Sequence, residues 1–466
     1  MTSTDTTGPA WAPELAATLR GPVIRPGDVG YDEARAVYNA MIDRKPAAIA
    51  RVADVADVIA CVRAAREHGL LLSVRGGGHN AAGLGVSDGA LVVDLSGLRS
   101  TTVDPVAGTV RADGGCTWGD VDHATGAFGM ATPSGIIGTT GVAGLTLGGG
   151  TGYLTRRFGL TIDNLLSADV VLADGSFVRA SAEDHPDLFW ALRGGGGNFG
   201  VVTSFVFRCH QIGENGTVIA GPVFYDLEDI AEVMRWYRDL LPSLPEELNG
   251  WIGVLAVPPV EPFPEALWNR TVCAILWCYT GPHAVADEVL APIREFGAPL
   301  LVGLGAMPYA GLQGAFDALY PPGHQWYWRA DVVREISDEA IEVHRRFGER
   351  LPTGQSTMHL YPIDGAAARV GPEETAFPFR DGGWNGVIVG VDPDPANAEL
   401  ITGWTREYWD ALHPLTEGGA YVNFMMDEGA DRVRASYREN FPRLQEVKRR
   451  YDPGNLFRVN QNIPPG

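Results

Sequence analysis

One histidine lies at the tip of a glycine-rich loop that directly follows a strand-like segment. The loop reads Val-Arg-Gly-Gly-Gly-His-Asn over residues 74–80, so that His79 comes after three consecutive glycines. Glycine permits positive φ and lets main-chain N–H groups approach a ligand closely, and successive N–H groups form a concavity that binds anions. The loop therefore suits a pyrophosphate, with Arg75 as a neighbouring cation. His79 either contacts this ligand or bonds to the backbone of its own turn.

Two more glycine clusters follow in the N-terminal half of the chain. The second runs from Thr132 to Gly152 without a charged residue, and the third covers residues 193–202. An uncharged wall rich in backbone groups suits a flat neutral ring and its phosphate chain; a closely packed loop is the alternative. A Rossmann fingerprint is excluded, because Gly76-x-Gly78-x-x-Ala81 leads into another loop and a strand, whereas that motif requires a helix.

The elements around these loops predict two lobes. Residues 47–74 have the pattern of strand, helix and strand, which predicts a parallel pair with a right-handed crossover. Residues 167–181 predict a hairpin that turns at an Asp-Gly pair. After residue 214 the glycine density falls, and nine of the twelve tryptophans lie between Trp236 and Trp409. We therefore expect a nucleotide-holding N-terminal lobe and an aromatic second lobe.

The composition excludes several classes of protein. The chain has 466 residues and a formal net charge of −21, so neither nucleic acid nor an anionic membrane is an expected partner. No apolar run reaches the length of a membrane helix, and the opening segment lacks a signal-peptide pattern. Five scattered cysteines without CxxC spacing predict neither a metal site nor a disulfide framework, and they favour the cytoplasm.

Long ordered motifs resemble one enzyme family. RGGGHN from residue 75, the segment 132–175, DLFWALRGGGGNFGVVTSF from residue 187 and the C-terminal segments 420–429 and 443–465 resemble the berberine-bridge-enzyme-like oxidoreductases of the vanillyl-alcohol-oxidase (PCMH-type FAD) superfamily. Bacterial polyketide-pathway members of the enterocin type look most similar.

The resemblance implies an α+β fold in three parts. Residues 1–214 form a PCMH-type FAD-binding domain with two subdomains, and residues 215–414 form a substrate-binding domain with an antiparallel sheet covered by helices. Residues 415–466 form a berberine-like segment that returns to the FAD lobe.

The same resemblance implies FAD as the cofactor, covalently bound through His79 to its 8α-methyl carbon. A single link is expected, because Ile137 stands where bicovalent members carry a cysteine, and Cys116 lies on a different segment. The other implied FAD contacts are Arg75, Gly76, Gly77, Gly78, Asn80, Gly83, Thr132, Thr139, Thr140, Gly141, Gly144, Gly152, Asn198, Val202, Tyr421, Asn423, Asn460 and Gln461.

The substrate site is expected on strands of the second lobe. The candidates are Trp251, Trp277, Tyr327, Arg329, His359 and Tyr361, although buried aromatic residues more often form a core. For catalysis we consider Tyr421 and His359 as bases. The alternative for His359 is that it only lines the pocket. The alternative for Tyr421 is a hydrogen bond to the cofactor or to the backbone.

The resemblance implies an oxidase of secondary metabolism. Hydride would pass from a natural-product-like small molecule to flavin N5, and O2 would accept the electrons and yield hydrogen peroxide. One alternative is an oxygenase in which flavin N5 carries an oxygen into a polyketide; Thr140 matches the position where O2 docks in that enzyme. The alternative from another class is a non-catalytic flavin- or metabolite-binding protein. A nicotinamide dehydrogenase is the least expected class, because the dinucleotide-binding fingerprint is missing.

Overall fold

The computed structural model describes residues 11–466, so residues 1–10 of the predicted FAD-binding domain lie outside the described residues. The first sheet has the strand order β1-β2-β4-β3, in which β4 pairs in parallel with both β2 and β3. The predicted strand–helix–strand unit is present, but its two strands do not pair with each other, because β4 lies between them. The strands are β1 (Val23–Ile24), β2 (Ala48–Arg51), β3 (Leu72–Arg75) and β4 (Leu91–Asp94).

A second sheet has the order β5-β6-β10-β8-β9. Strands β8 and β9 pair antiparallel around Gly175, whose φ is 78°, so the predicted hairpin is confirmed. Two short strands, β7 and β11, pair with each other beside this sheet. The strands are β5 (Thr101–Asp104), β6 (Thr109–Asp113), β7 (Met130–Ala131), β8 (Leu165–Val171), β9 (Phe177–Ser181), β10 (Val201–Arg208) and β11 (His210–Gln211).

The second lobe is built on an eight-stranded antiparallel sheet. Its order is β15-β12-β14-β13-β18-β19-β17, and β16 also pairs with β12. The strands are β12 (Thr217–Asp226), β13 (Leu248–Ala256), β14 (Thr271–Tyr279), β15 (Leu301–Val302), β16 (Gly305–Pro308), β17 (Gln325–Val333), β18 (Thr357–Pro362) and β19 (Trp384–Asp392).

Side chains alternate between the two faces of this sheet, because the period of a strand is two residues. On β14, Ala274 and Leu276 join a core shared with the N-terminal lobe, whereas Ile275 and Trp277 join a core formed with the covering helices. The first face therefore looks towards the glycine loops. The α+β architecture predicted from the sequence, with an antiparallel sheet covered by helices, is the architecture observed.

The helices of the N-terminal lobe lie around its two sheets, and four helices of the second lobe cover the outer face of the large sheet. The C-terminal segment returns to the N-terminal lobe, where α14 packs on α7. No helix among residues 11–466 combines the length and apolar character that a membrane crossing requires. The helices are α1 (Trp11–Thr18), α2 (Tyr31–Arg35), α3 (Val55–Glu67), α4 (Trp118–Gly126), α5 (Val142–Gly148), α6 (Thr155–Phe158), α7 (Pro186–Leu192), α8 (Ile230–Leu240), α9 (Ala286–Glu295), α10 (Tyr309–Gln313), α11 (Asp338–Gly348), α12 (Ala398–Leu412), α13 (Ala430–Tyr437) and α14 (Phe441–Tyr451).

Candidate active site

A cavity of about 340 Å³ lies between the glycine loops and the inner face of the large sheet. The loops 76–80, 135–145 and 196–200 contribute one side, which we call the glycine wall. Strands β17, β18 and β19 contribute the opposite side, which we call the sheet wall. Among the described residues that line the cavity, Arg75 is the one with a charged side chain. The site thus has the concave and mostly apolar form of a small-molecule site.

The glycine wall exists because two backbones touch. A Cβ on Gly77 would lie 2.4 Å from the backbone nitrogen of Gly141, and a Cβ on Gly141 would lie 2.3 Å from that of Gly77. Only residues without a side chain permit this approach. Gly144 instead faces open space, with no heavy atom within 4 Å of a Cβ built on it. The result is a bare backbone surface beside the cavity.

The backbone N–H groups of the first glycine loop are free to donate hydrogen bonds. None of the N–H groups of Gly77, Gly78, His79 and Asn80 has an acceptor within residues 11–466. Arg75, in contrast, is already paired: its Nη2 donates to Asp94 at 2.7 Å, and its Nη1 donates to the carbonyls of Ala34 and Ala36. The run of N–H groups, and not an unpaired guanidinium, is therefore what the loop offers to an anion.

His79 is held on three sides. Its ring stacks on Tyr38 with centroids 3.9 Å apart, its Nε2 lies 3.0 Å from the Thr139 hydroxyl, and its Nδ1 lies 3.5 Å from the Thr140 hydroxyl. Burial lowers the pKa of His79 to about 4, because the charged form loses its hydration. The imidazole is therefore neutral at neutral pH, and one ring nitrogen keeps a lone pair.

The polar part of the sheet wall is a histidine–tyrosine pair on β18. His359 Nδ1 lies 2.7 Å from the Tyr361 hydroxyl, and both residues are buried. Trp251 lies behind them, with its ring centroid 4.5 Å from that of His359. Burial lowers the pKa of His359 to about 3 and raises the pKa of Tyr361 well above its usual value. Both groups are therefore neutral hydrogen-bonding partners.

Three predicted substrate residues face away from the cavity. Trp277 packs against Trp236 in the helical core. The Tyr327 hydroxyl accepts from Arg406 at 2.8 Å, and Arg329 pairs with Glu428 at 2.6 Å. Trp326 and Trp328, the neighbours of Tyr327 on β17, line the cavity instead. The lining aromatic residues that the sequence analysis did not predict are Tyr38, Phe316, Tyr320, Trp326, Trp328, Phe424, Tyr437 and Phe457.

The predicted cofactor contacts divide into wall residues and supporting residues. Those that line the cavity are Arg75, Gly76, Gly77, Gly78, His79, Asn80, Thr140, Gly141, Gly144, Val202, Tyr421, Asn423, Asn460 and Gln461. The others lie outside the cavity lining and are Gly83, Thr132, Thr139, Gly152 and Asn198. Asn198 shows what such a position does, because its side chain donates to Gln461 O at 3.1 Å and accepts from Ile463 N at 2.9 Å.

The C-terminal segment closes the cavity on a third side. The phenol oxygen of Tyr421 accepts from Gly150 N at 2.8 Å and from Asn423 Nδ2 at 2.7 Å, and burial raises its pKa to about 12. Lys448 is fully buried and donates to the carbonyls of Asn198 and Phe457. The segment is thereby tied to the third glycine loop.

Comparison with known proteins identifies the family to which the chain belongs. A family model described as an FAD binding domain matches residues 46–181, and another described as berberine and berberine like matches residues 420–464. The uncharacterized FAD-linked oxidoreductase YgaK of Bacillus subtilis is 30% identical over 463 residues, which cover 96% of this chain and 97% of YgaK. The chain belongs to the berberine-bridge-enzyme-like family of FAD-linked oxidoreductases.

Solved structures agree with this membership. The crystal structure of 6-hydroxy-D-nicotine oxidase from Arthrobacter nicotinovorans is 27% identical, with a TM-score of 0.85 and coverage of 96% of this chain and 98% of that chain. Glucooligosaccharide oxidase from Acremonium strictum is 25% identical, with a TM-score of 0.83 and coverage of 97% and 98%; its cofactor is a 6-S-cysteinyl, 8α-N1-histidyl FAD. This berberine-bridge-enzyme-like protein is therefore an FAD-linked oxidoreductase.

The cavity of this family member fits FAD. Its glycine wall has an open face at Gly144 and a run of N–H groups without acceptors, which suit a flat ring and a pyrophosphate. Two buried polar atoms of lining residues, Asn460 Oδ1 and Tyr437 OH, also lack partners within residues 11–466. FAD bound here supplies a two-electron acceptor for hydride, while the protein binds, orients and shields it.

Proposed function

We propose that this protein is an FAD-dependent oxidase that carries one covalent flavin on His79, oxidises a natural-product-like small molecule and uses O2 as the electron acceptor. The observation that carries the proposal is the cavity itself. A neutral histidine and a donor-rich glycine wall lie on one side, and an uncharged sheet wall lies on the other. Such a cavity suits a flavin on the first side and an organic substrate on the second.

The position and protonation state of His79 support the covalent link. Forming a bond to carbon requires a lone pair on a ring nitrogen, and the lowered pKa leaves the imidazole neutral. Tyr38 and Thr139 hold the ring in one orientation, which reduces the entropy lost when the bond forms.

The cysteines support a single link. All five are buried and unpaired, and none of them lines the cavity. Ile137 lines it instead, whereas Cys116 donates to the Ser100 carbonyl at 3.3 Å. Burial raises the pKa of Cys116 above its usual value, and a protonated thiol is a poor nucleophile.

The remaining residues have supporting roles in the proposed reaction. Tyr421 holds the backbone of the second glycine cluster through its contact with Gly150. Its oxygen already accepts two hydrogen bonds, which favours an orienting role over that of a base. The apolar side chains around the cavity exclude water and strengthen the electrostatic interactions there. The predicted cytoplasmic location and the similarity to polyketide-pathway enzymes of the enterocin type stay predictions.

An oxygenase acting on a polyketide is the second candidate. It is favoured by the position of Thr140, which lines the cavity beside His79. Turnover under isotopically labelled O2 distinguishes the two. Label in hydrogen peroxide alone supports the oxidase, and label in the organic product supports the oxygenase.

The covalent link is tested by acid precipitation of the purified holoenzyme. We expect yellow flavin to stay with the precipitated wild-type protein and to move into the supernatant for His79→Ala. His123→Ala, which alters an exposed histidine, is the matched control and should keep the flavin bound. Free flavin from the wild type would contradict the link through His79, and a wild-type protein without flavin would contradict the proposed activity.

A further inference from the structure

No side chain in the described lining of the cavity offers a free opposite charge to a charged substrate. Its described lining contains no aspartate, glutamate or lysine. Its one charged side chain, Arg75, is paired with Asp94 and with two backbone carbonyls. A charge buried without a counter-charge loses its hydration and gains nothing in return. The site therefore selects molecules that enter uncharged.

The sheet wall is apolar and aromatic over most of its area. Trp326 and Trp328 of β17 and Val387 and Val389 of β19 face the cavity, because alternate residues of a strand share a face. The indole nitrogens of both tryptophans are buried and have no hydrogen-bond partner within residues 11–466. Phe316, Tyr320 and Phe424 extend the surface at its edges. Aromatic faces of this kind pack against another flat ring.

The other hydrogen-bonding side chains of this wall all lie on β18. The Thr357 hydroxyl already donates to the Val254 carbonyl at 2.9 Å. His359 and Tyr361 bond to each other at 2.7 Å, and no other described residue bonds to either side chain. An imidazole and a phenol in mutual contact together keep one donor and one acceptor site for a third group.

We infer that the substrate is an uncharged, flat aromatic molecule that carries a single hydroxyl or neutral amine on a side-chain carbon bearing hydrogen, that this group is bound by the His359–Tyr361 pair, and that oligosaccharides are not substrates. This inference rests on the proposed oxidase function and names its substrate class. An oligosaccharide carries hydroxyls around its whole ring, and each one buried against tryptophan or valine without a partner weakens binding by about tenfold.

The proposed reaction balances with O2 as the oxidant. The substrate loses a proton from the O–H or N–H group and a hydride from the adjacent C–H bond, and its C–O or C–N single bond becomes a double bond. The two electrons and two protons pass to O2, which becomes hydrogen peroxide. His359 and Tyr361 orient the hydroxyl or amine, so that the adjacent C–H faces the glycine wall.

The substrate class is tested by quenching of tryptophan fluorescence in the holoenzyme, with naphthylmethanol, naphthoate and cellobiose as probes. This measurement does not depend on turnover. We expect naphthylmethanol to quench with saturation, naphthoate to bind at least about tenfold more weakly, and cellobiose not to quench. Equal or tighter binding of cellobiose or naphthoate would overturn the inference.

The role of the pair is tested by Tyr361→Phe, which keeps the ring and removes the hydroxyl. We expect the Kd for naphthylmethanol to rise about three- to tenfold, and the Kd for methylnaphthalene, which has no hydroxyl, to stay unchanged. Tyr327→Phe is the matched control, because that tyrosine lies on the opposite face of the sheet and bonds to Arg406; it should change neither value. Equal weakening of both ligands in Tyr361→Phe would contradict the assigned contact.

The two proposals fail in different ways. If naphthylmethanol binds with saturation but no bound alcohol leads to O2 consumption, the oxidase function is refuted and the inferred binding preference of the sheet wall still stands. Peroxide formation with cellobiose would support the oxidase and refute the substrate class.

Discussion

Burial sets the protonation state of the polar side chains around the cavity. It lowers the pKa of His79 to about 4 and that of His359 to about 3, and it raises the pKa of Tyr421 to about 12. Between pH 5 and pH 8 all three groups are therefore neutral. Their contribution is hydrogen bonding and positioning, and an acid limb near the usual histidine pKa is not expected in the rate profile.

Asp122 is the carboxyl group that burial shifts furthest into the working pH range. It is fully buried, its Oδ2 accepts from Gln313 Nε2 at 3.3 Å, and its Oδ1 has no partner within residues 11–466. Burial raises its pKa from 3.8 to about 7. Between about pH 4 and pH 7 the Asp122 carboxyl is thus protonated in the folded state and ionised in the unfolded state. Its contribution to the stability of the folded protein therefore falls as the pH rises through that interval.

We expect Asp122→Asn to be more stable than the wild type at pH 8, by a margin of order 4 kcal/mol that disappears towards pH 4. The amide stays neutral, and its nitrogen can donate to Gln313 Oε1, which lacks a partner. Chemical denaturation at several pH values measures the difference. Asp184→Asn, at an exposed position, should show no such trend, and a difference that is independent of pH would contradict the assignment.

At the scale of elements, the contact between two glycine loops shapes the cofactor side of the cavity. Each loop uses a glycine where a Cβ would collide with the backbone of the other loop. The loops meet although their glycines are 64 positions apart in the sequence, from Gly77 to Gly141. The bare wall is a property of the pair and not of either loop alone.

Gly77→Ala should therefore separate the loops. We expect a loss of about 1–3 kcal/mol in unfolding free energy and a lower FAD content of the purified protein. Gly403→Ala is the matched control: it lies inside α12 with open space around its Cβ position and should gain about 0.5–1 kcal/mol from helix propensity. Thermal unfolding and flavin absorbance measure both effects. Unchanged FAD content in Gly77→Ala would count against the role of this contact.

At the scale of the whole molecule, one buried asparagine joins the lobes beside the cavity. Asn39 Nδ2 donates to Ala81 O at 2.7 Å in the N-terminal lobe and to Trp326 O at 3.0 Å in the second lobe. Its Oδ1 accepts from Trp326 N at 3.1 Å. Asn39 thus fixes the tryptophan of the sheet wall relative to the glycine loop that carries His79.

We expect Asn39→Ala to lower the unfolding free energy by about 2–3 kcal/mol, because three buried backbone groups lose their partners. Two probes separate the lobes: tryptophan fluorescence reports mainly the second lobe, and flavin release reports the first. The transitions should move apart in the variant and coincide in the wild type. Coincident transitions at an unchanged temperature would refute the bridging role.

The features that the sequence predicted are local. The glycine loops, the histidine at the tip of one of them and the hairpin at residues 167–181 depend on a few neighbouring residues, because glycine and turn residues act on their own backbone. The family motifs are local in the same sense. They indicate an FAD-linked oxidoreductase independently of how the lobes pack.

The tertiary structure decided which side chains meet. Tyr327 and Trp328 are neighbouring aromatic residues on β17. Only the pairing of β17 with β19 determines which of them faces the cavity, because a shift of one residue exchanges the faces of a strand. Likewise, it is the pairing of strands in the folded protein that places β4 between β2 and β3. The hydrogen bond from Gly150 to Tyr421 spans 271 positions, and no local pattern encodes it. Short stretches of sequence thus determine the glycine loops and the histidine at the tip of one of them. The sheet wall, in contrast, arises from packing between distant segments.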